Sequence, residues 1–157
     1  MSLLMLVALL SILIPLLFPL LAIGRNQNRL LRCSLPLLPI PALGLALLST
    51  SGWQLELPYL LTGGLWLMDD IRRLFLVLTA TLWTAAGFFA AGYLGREGLR
   101  GFCVFWGLTL AGNLGLVISG DISSFYSFFA LMTFASYGLV IHERTPEALR
   151  AGRIYLI

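Results

Sequence analysis

Five uncharged stretches of about 20 residues divide this 157-residue chain and most constrain how it can fold. They cover residues 2–23, 33–52, 74–95, 101–120 and 122–141. A helix of about 20 apolar residues crosses the hydrocarbon core of a bilayer, which is about 30 Å thick. Backbone groups in lipid must be satisfied internally, and these stretches are too long and too uniformly apolar for barrel strands. The pattern therefore predicts an all-α integral membrane protein.

The chain is expected to form a single membrane domain over residues 1–157 with five transmembrane helices. Their predicted bounds are residues 2–23, 34–51, 72–94, 101–120 and 122–141, and residues 146–157 are predicted to start a sixth helix. Pro15 and Pro19 should kink the first helix. Pro36, Pro39 and Pro41 crowd the second, so its regular part is expected to begin near Pro41, where proline is tolerated in a first turn.

The composition excludes several classes of protein. Apolar residues make up 59% of the chain and charged residues 11%, whereas soluble domains are about 25% charged. An ordinary cytosolic enzyme, a disordered tail, a disulfide scaffold and a nucleic-acid module are therefore excluded. The sequence also lacks a phosphate-binding glycine loop, an HExxH motif and a nucleophile elbow. We predict no catalytic residue, metal site or cofactor on this chain.

The arginines predict the orientation in the membrane. Eight of the ten fall in loops on one side of the predicted helices: Arg25, Arg29, Arg32, Arg96, Arg100, Arg144, Arg150 and Arg153. Arg72 and Arg73 fall on the other side. Cytoplasmic loops carry the excess of basic residues, so the eight-arginine side is expected to be cytoplasmic. The sequence thus predicts a multi-pass protein of an inner or plasma membrane, with its N-terminus outside.

Residues 53–68, between the second and third predicted helices, have a different pattern. Trp53, Tyr59 and Trp66 are aromatic residues of the kind that favour the membrane interface. A Thr62-Gly63-Gly64 break separates two short apolar runs, as in a hairpin. We expect a short β-hairpin or an interfacial loop on the outer surface.

Four polar residues allow both a structural and a functional interpretation. Asp69 and Asp121 precede predicted helices, where a carboxylate caps the helix, although either could line an ion entrance. His142 follows the fifth helix and is either structural or part of a proton relay. Asn113 lies deep in the fourth helix, where it would form an interhelical hydrogen bond or contact a substrate. Asp69, Asp121 and His142 are the candidates for an ion pathway.

Small residues at four-residue spacing predict close helix packing. In the fourth helix they are Gly107, Ala111, Gly115 and Ser119, and in the third they are Ala86 and Ala90 together with Gly87 and Ala91. We expect a tight contact between these two helices. The short turn at Gly120-Asp121 makes the fourth and fifth helices antiparallel neighbours.

Three motifs in the second half of the chain resemble a known family. They are Met68-Asp69-Asp70-Ile71-Arg72-Arg73-Leu74-Phe75, Ala91-Gly92-Tyr93-Leu94, and a longer segment over residues 120–156 that includes GDISSFYSFFALM, SYGLV and EALRAGRIYL. They are similar to the antiporter-like membrane subunits of respiratory complex I, of multi-subunit cation/proton antiporters (the D-type subunit) and of membrane-bound hydrogenases. The first helices match that family only in hydropathy.

The resemblance implies a membrane subunit of a proton- or monovalent-cation-translocating complex. Ala130 occupies the position at which most of the family has a membrane-embedded glutamate implied in proton transfer. The family has more helices than this chain, with key lysines from the seventh helix onward. The chain therefore resembles the N-terminal part of such a subunit, either as a fragment or as a split polypeptide.

Three functions remain open at this point. The first is a subunit of a transport complex of this family, surrounded by the lipid bilayer and by other membrane subunits. Such a complex could be an NADH:quinone oxidoreductase or a hydrogenase. The second is a structural scaffold subunit without ion transport of its own. The third is a free-standing five-helix carrier or channel.

Overall fold

The computed structural model describes residues 3–24, 28–58, 63–95 and 98–155, and it is mostly helical. The elements in chain order are α1 (Leu3–Gly24), α2 (Asn28–Ser34), α3 (Ile40–Leu48), β1 (Trp53–Leu57), β2 (Gly64–Met68), α4 (Asp70–Tyr93), α5 (Leu99–Ile118), α6 (Ile122–Val140) and α7 (Pro146–Tyr155). Within the described ranges, four helices have the length and apolar composition to cross a membrane: α1, α4, α5 and α6. This architecture is consistent with an all-α membrane protein.

The second predicted helix, over residues 34–51, is not continuous in the structure, and its regular part begins at Ile40, close to the expected start near Pro41. Helix α2 ends at Ser34, turns occupy residues 35–39, and α3 contains nine residues. At 1.5 Å per residue α3 is about 14 Å long, less than half of the hydrocarbon thickness. Pro36 and Pro39 explain the break, because proline lacks a backbone N–H and clashes with the preceding helical turn. The described residues therefore supply four spans by length and not five.

The two strands form an antiparallel pair in which Trp53 faces Met68 and Leu57 faces Gly64. The second strand also contacts the turn between α5 and α6, because the Gly120 N–H donates to the Leu65 carbonyl at 2.7 Å. We call this end of the bundle the hairpin end. Helices α4 and α6 begin there, and α3 and α5 end there. The opposite end includes α2 and its Arg29 and Arg32, and we call it the arginine end.

Helix α5 lies at the centre of the bundle, between α1 and α6. A Cβ atom on Gly107 would lie 2.6 Å from the Pro15 carbonyl oxygen of α1. One on Gly112 would lie 2.6 Å from the Met132 backbone nitrogen of α6. These contacts leave no room for a side chain, so α5 meets two helices at backbone distance.

The expected tight contact between α4 and α5 through their small residues is therefore wrong. Steps of four residues advance a helix by about 40° beyond a full turn. The row of small residues on α5 therefore rotates by about 120° around the helix between Gly107 and Ser119. It faces α1 at Gly107 and Phe128 of α6 at Gly115. Gly87 of α4 packs instead against the Pro36 backbone, 2.7 Å from a Cβ position.

Aromatic rings form the contact between α4 and α5. Trp83 and Trp106 meet edge-to-face with their ring centroids 4.7 Å apart. Helix α7 packs against the end of α6, where Gly152 lies against Ile141 and Tyr137. The hydroxyl groups of Ser136 and Tyr155 are 2.5 Å apart. The chain after α6 thus folds back along that helix.

Candidate functional site

Polar side chains meet at the hairpin end, where the turn between α5 and α6 touches the second strand. Asp121 is the N-cap of α6 and accepts a hydrogen bond from the Ser124 N–H at 2.8 Å. Its other carboxylate oxygen accepts from the Leu65 N–H of β2 at 2.7 Å. One carboxylate therefore caps a helix and joins it to the hairpin.

Asp69 has the corresponding position at the start of α4. Its carboxylate accepts from the Arg72 N–H at 2.7 Å and forms an ion pair with the Arg72 guanidinium. The same guanidinium donates to the Ser119 carbonyl at the end of α5, at 3.2 Å. We refer to Leu65, Asp69, Arg72, Ser119 and Asp121 as the hairpin-end cluster. It connects α4, α5, α6 and the hairpin.

Arg73 makes a parallel contact, since its guanidinium donates to the Ser49 carbonyl at the end of α3. Arginine is unfavourable at a helix N-terminus, because that end carries partial positive charge. Here both arginines of α4 point to carbonyls at the C-terminal ends of other helices, which carry partial negative charge. Arg72 thus caps α5 and Arg73 caps α3.

Hydrogen bonds lower the pKa of both aspartates in the cluster. For Asp121, the Leu65 N–H has the largest effect and the Ser124 N–H adds to it, against a smaller opposing effect of burial. For Asp69, the Arg72 N–H has the largest effect, burial opposes it, and the Arg72 guanidinium lowers the pKa further. Both side chains are carboxylates at neutral pH.

We expect these lowered pKa values to appear as a loss of stability in acid. Both folded pKa values lie below the ordinary 3.8, so the unfolded chain takes up protons first as the pH falls. The free energy of unfolding should be constant from pH 7 to about 5 and should fall below pH 3.8. Thermal unfolding in detergent across this range measures the effect.

A matched pair of variants tests whether Asp121 contributes to the loss of stability in acid. Asp121→Asn should weaken the pH dependence, because one of the two titrating groups is gone while a capping oxygen remains. Glu56→Gln replaces an exposed acid on β1 and should leave the curve unchanged. Equal pH curves for wild type and Asp121→Asn would contradict the assignment.

His142 lies at the other end of α6 and is not part of the hairpin-end cluster. Helix α6 has 19 residues, which corresponds to about 28 Å between its ends. The His142 Nδ1 is 2.7 Å from the Leu139 carbonyl oxygen, and its ring meets Phe102 edge-to-face at 5.2 Å. It lines an open cleft of about 770 Å³ that also includes Tyr93 and Glu143. The three ion-pathway candidates therefore occupy two sites.

The remaining predicted site residues lie along α5 and α6. Asn113 donates from its amide nitrogen to the Met132 sulfur of α6 at 3.2 Å. Ala130 is half-buried near the middle of α6. Gly107, Ala111 and Gly115 are buried along α5, and Ser119 donates to the Gly115 carbonyl at 2.8 Å. Within the described parts of the chain, no three metal-ligating side chains lie together.

Three residues in these contacts are absent from the sequence-based candidates. Leu65 and Ser49 act through backbone groups, which no side-chain pattern reveals. Gly112 makes the backbone contact with Met132, but the predicted packing residue is its neighbour in the sequence, Ala111. The sequence does contain one indication of these contacts, the Arg72-Arg73 pair at a helix N-terminus. Arginine is unfavourable there, so the pair indicates hydrogen-bond acceptors on other elements.

Two known proteins are similar to this chain, while no family model matches it. It is 33% identical over 89 residues to the D subunit of a probable K⁺/H⁺ antiporter from Rhizobium meliloti (strain 1021). It is 30% identical over 116 residues to the D subunit of the Na⁺/H⁺ antiporter from Bacillus subtilis (strain 168). The chain is a partial homologue of antiporter D subunits.

The aligned segments differ greatly in the share they cover of each protein. They include 57% and 73% of this chain. They span only 16% and 22% of the two D subunits. The similarity supports an antiporter-like multi-pass membrane subunit, and it relates this chain to a minor part of each relative.

Proposed function

We propose that this chain works as a membrane subunit, or as part of one, in a complex that exchanges monovalent cations for protons. The similarity to two antiporter D subunits is the observation that carries this proposal. The motifs over residues 68–75 and 120–156 extend it to the related subunits of complex I and of membrane-bound hydrogenases. Other membrane subunits of the complex and the lipid bilayer are then its partners.

Within such a complex, this chain would supply the framework and not the proton-carrying side chains. No Asp, Glu, Lys, Arg or His occurs within residues 74–95, 101–120 or 122–141. Proton transfer across a membrane requires ionisable groups at depth, and Ala130 occupies the position of the family's glutamate. The proton carriers would therefore belong to helices that pack against α5 and α6.

We also propose five membrane crossings, with the N-terminus and the hairpin outside. The two short helices α2 and α3, with the turn between them, would together make the second crossing. The hairpin end includes Arg72 and Arg73, whereas the other described arginines lie in α2, in α5 and after α6. Arg25 and Arg96 lie outside the described residues. A cytoplasmic arginine end agrees with the excess of basic residues in cytoplasmic loops.

For Asp69 and Asp121 we propose a structural role in this complex. Both carboxylates are hydrogen-bonded and have lowered pKa values. A group that remains charged near neutral pH does not pick up and release protons there. The competing proposal is that the two carboxylates attract cations to an entrance at the hairpin end.

Cation-driven proton flux tests the function directly. Everted membrane vesicles from cells lacking this chain should lose proton movement after addition of Na⁺ or K⁺, as followed by quenching of a pH-sensitive dye. Restoring the wild-type chain should restore the signal, and a tagged chain should co-purify with other membrane subunits. A chain that runs alone and leaves the flux unchanged when removed would exclude the proposal.

Asp121→Asn and Asp69→Asn separate the two roles of the aspartates. If they are structural, flux per assembled complex should equal that of wild type, because asparagine also caps helices. If they form an ion entrance, flux should fall while the amount of assembled complex is unchanged. Ala130→Glu serves as an assembly control and should leave the complex intact, because the family that the motifs resemble has a glutamate at this position.

The scaffold function predicts a different result from the same experiment. A scaffold without a transport role would be needed for assembly, but its loss would leave flux unchanged in any complex that still forms. Measuring flux against the amount of complex in the vesicles distinguishes the two functions.

A further inference from the structure

A cleft of about 420 Å³ opens beside the hairpin-end cluster at the start of α6. Arg72 and Asp121 line it together with Ile122, Phe125 and Tyr126. Helix α6 is one of the four helices long and apolar enough to span a membrane. Its first turn then lies where lipid head groups meet the hydrocarbon, which is also the usual level of tyrosine side chains.

The two charged residues of the cleft are both partly exposed to it. A guanidinium has five N–H donors, and the Arg72 side chain, 31% exposed, contacts Asp69 and the Ser119 carbonyl. The Asp121 carboxylate accepts the N–H groups of Leu65 and Ser124, and further contacts with Ser123 and the Ser124 side chain stabilise its negative charge. The cleft therefore presents one cation and one anion, which fits a zwitterion better than an anion.

The apolar side of the cleft continues along α6. The rings of Phe125 and Tyr126 meet edge-to-face at 5.8 Å, and those of Phe125 and Phe129 are stacked at 6.3 Å. Tyr126 is 65% exposed, so its ring face is accessible to an ammonium group. Phe125 and Phe129 are partly exposed and lead from the cleft toward the middle of the span.

We propose that this cleft binds one phospholipid whose head group carries both a phosphate and a primary ammonium. The phosphate contacts the Arg72 guanidinium, the ammonium contacts Asp121 and the Tyr126 ring, and an acyl chain lies along Phe125 and Phe129. This site requires that the chain be inserted in a membrane. It does not require that the chain be part of an antiporter.

Native mass spectrometry of the purified full chain in detergent tests the site with defined lipids. Dioleoyl phosphatidylethanolamine should bind about tenfold more tightly than dioleoyl phosphatidylglycerol, which has the phosphate but lacks the ammonium. Free phosphoethanolamine should not compete at the same concentration, because it has no acyl chain to lie on α6. This comparison uses only the wild-type chain.

Two matched variants locate the lipid on α6. Tyr126→Leu should weaken phosphatidylethanolamine binding about tenfold. Phe134→Leu should not, because Phe134 is an equally exposed aromatic residue of the same helix outside the cleft. Both replaced side chains are exposed, so the unfolding temperatures of the lipid-free variants should match that of wild type.

Three results would overturn the proposal. Equal binding of the two lipids would indicate nonspecific lipid around the bundle only. Equal effects of Tyr126→Leu and Phe134→Leu would mean that the lipid is not in this cleft. Competition by free phosphoethanolamine as strong as by the lipid would exclude the role of the acyl chain.

Discussion

Gly112→Ala should destabilise the protein by about 2–3 kcal/mol, because overpacking of a well-filled interface costs about this much. The added methyl carbon would lie 2.6 Å from the Met132 backbone nitrogen. A flexible side chain could move aside, but here the contact is with the backbone of α6. Helices α5 and α6 must then separate along their interface, and the contacts on both sides of Gly112 loosen as well.

Gly101→Ala is the matched control on the same helix. No atom lies within 4 Å of a Cβ placed on Gly101. Alanine there should stabilise α5 by about 0.5–1 kcal/mol, since glycine is the poorer helix former. Thermal unfolding in detergent, followed by the fluorescence of the four tryptophans, should give shifts of opposite sign. Equal unfolding temperatures for the two variants would contradict the backbone contact between α5 and α6.

Asp121→Ala should have the second-largest effect, a loss of about 1–2 kcal/mol for two charge-assisted hydrogen bonds, after allowance for the partial exposure of the group. The substitution leaves the N–H groups of Leu65 and Ser124 without their acceptor. It removes the N-cap of α6 and detaches β2 from that helix in the same step. The hairpin should become more accessible to protease before the bundle unfolds.

Asp121→Asn provides a graded comparison, since asparagine has one acceptor oxygen where aspartate has two. It should lie between wild type and Asp121→Ala in unfolding temperature and in the rate of protease cleavage at the hairpin. Glu56→Ala is the control for a lost charge, because Glu56 is exposed on β1. An Asp121→Ala variant as stable and as protease-resistant as Glu56→Ala would mean that the carboxylate does not anchor the hairpin.

The sequence predicted the long helices well because hydropathy is a local property. The predicted bounds 72–94, 101–120 and 122–141 lie within two residues of those of α4, α5 and α6. The ends of these helices are marked in the sequence by charged residues and by N-cap residues such as Asp121. Proline gave partial information on the second span, since the expected start near Pro41 is close to the start of α3 at Ile40.

The partners of the small and charged residues could not be predicted in the same way. The direction that each α5 glycine faces depends on the rotation of that helix, which only the positions of α1 and α6 determine. The Arg73 guanidinium reaches the Ser49 carbonyl across 24 residues of chain. That acceptor is a backbone group, which every residue has, so no residue pattern identifies it.

The two arginines of α4 cap helices that are synthesised at different times, which implies an order of association during membrane insertion. The Ser49 carbonyl precedes Arg73 by 24 residues, so it is already synthesised when α4 emerges from the ribosome. The Ser119 carbonyl follows Arg72 by 47 residues and becomes available only after α5 has been made. We therefore expect α3 and α4 to associate early in translation. Arg72 should pair only with Asp69 until α5 is inserted and the Ser119 carbonyl becomes its second partner.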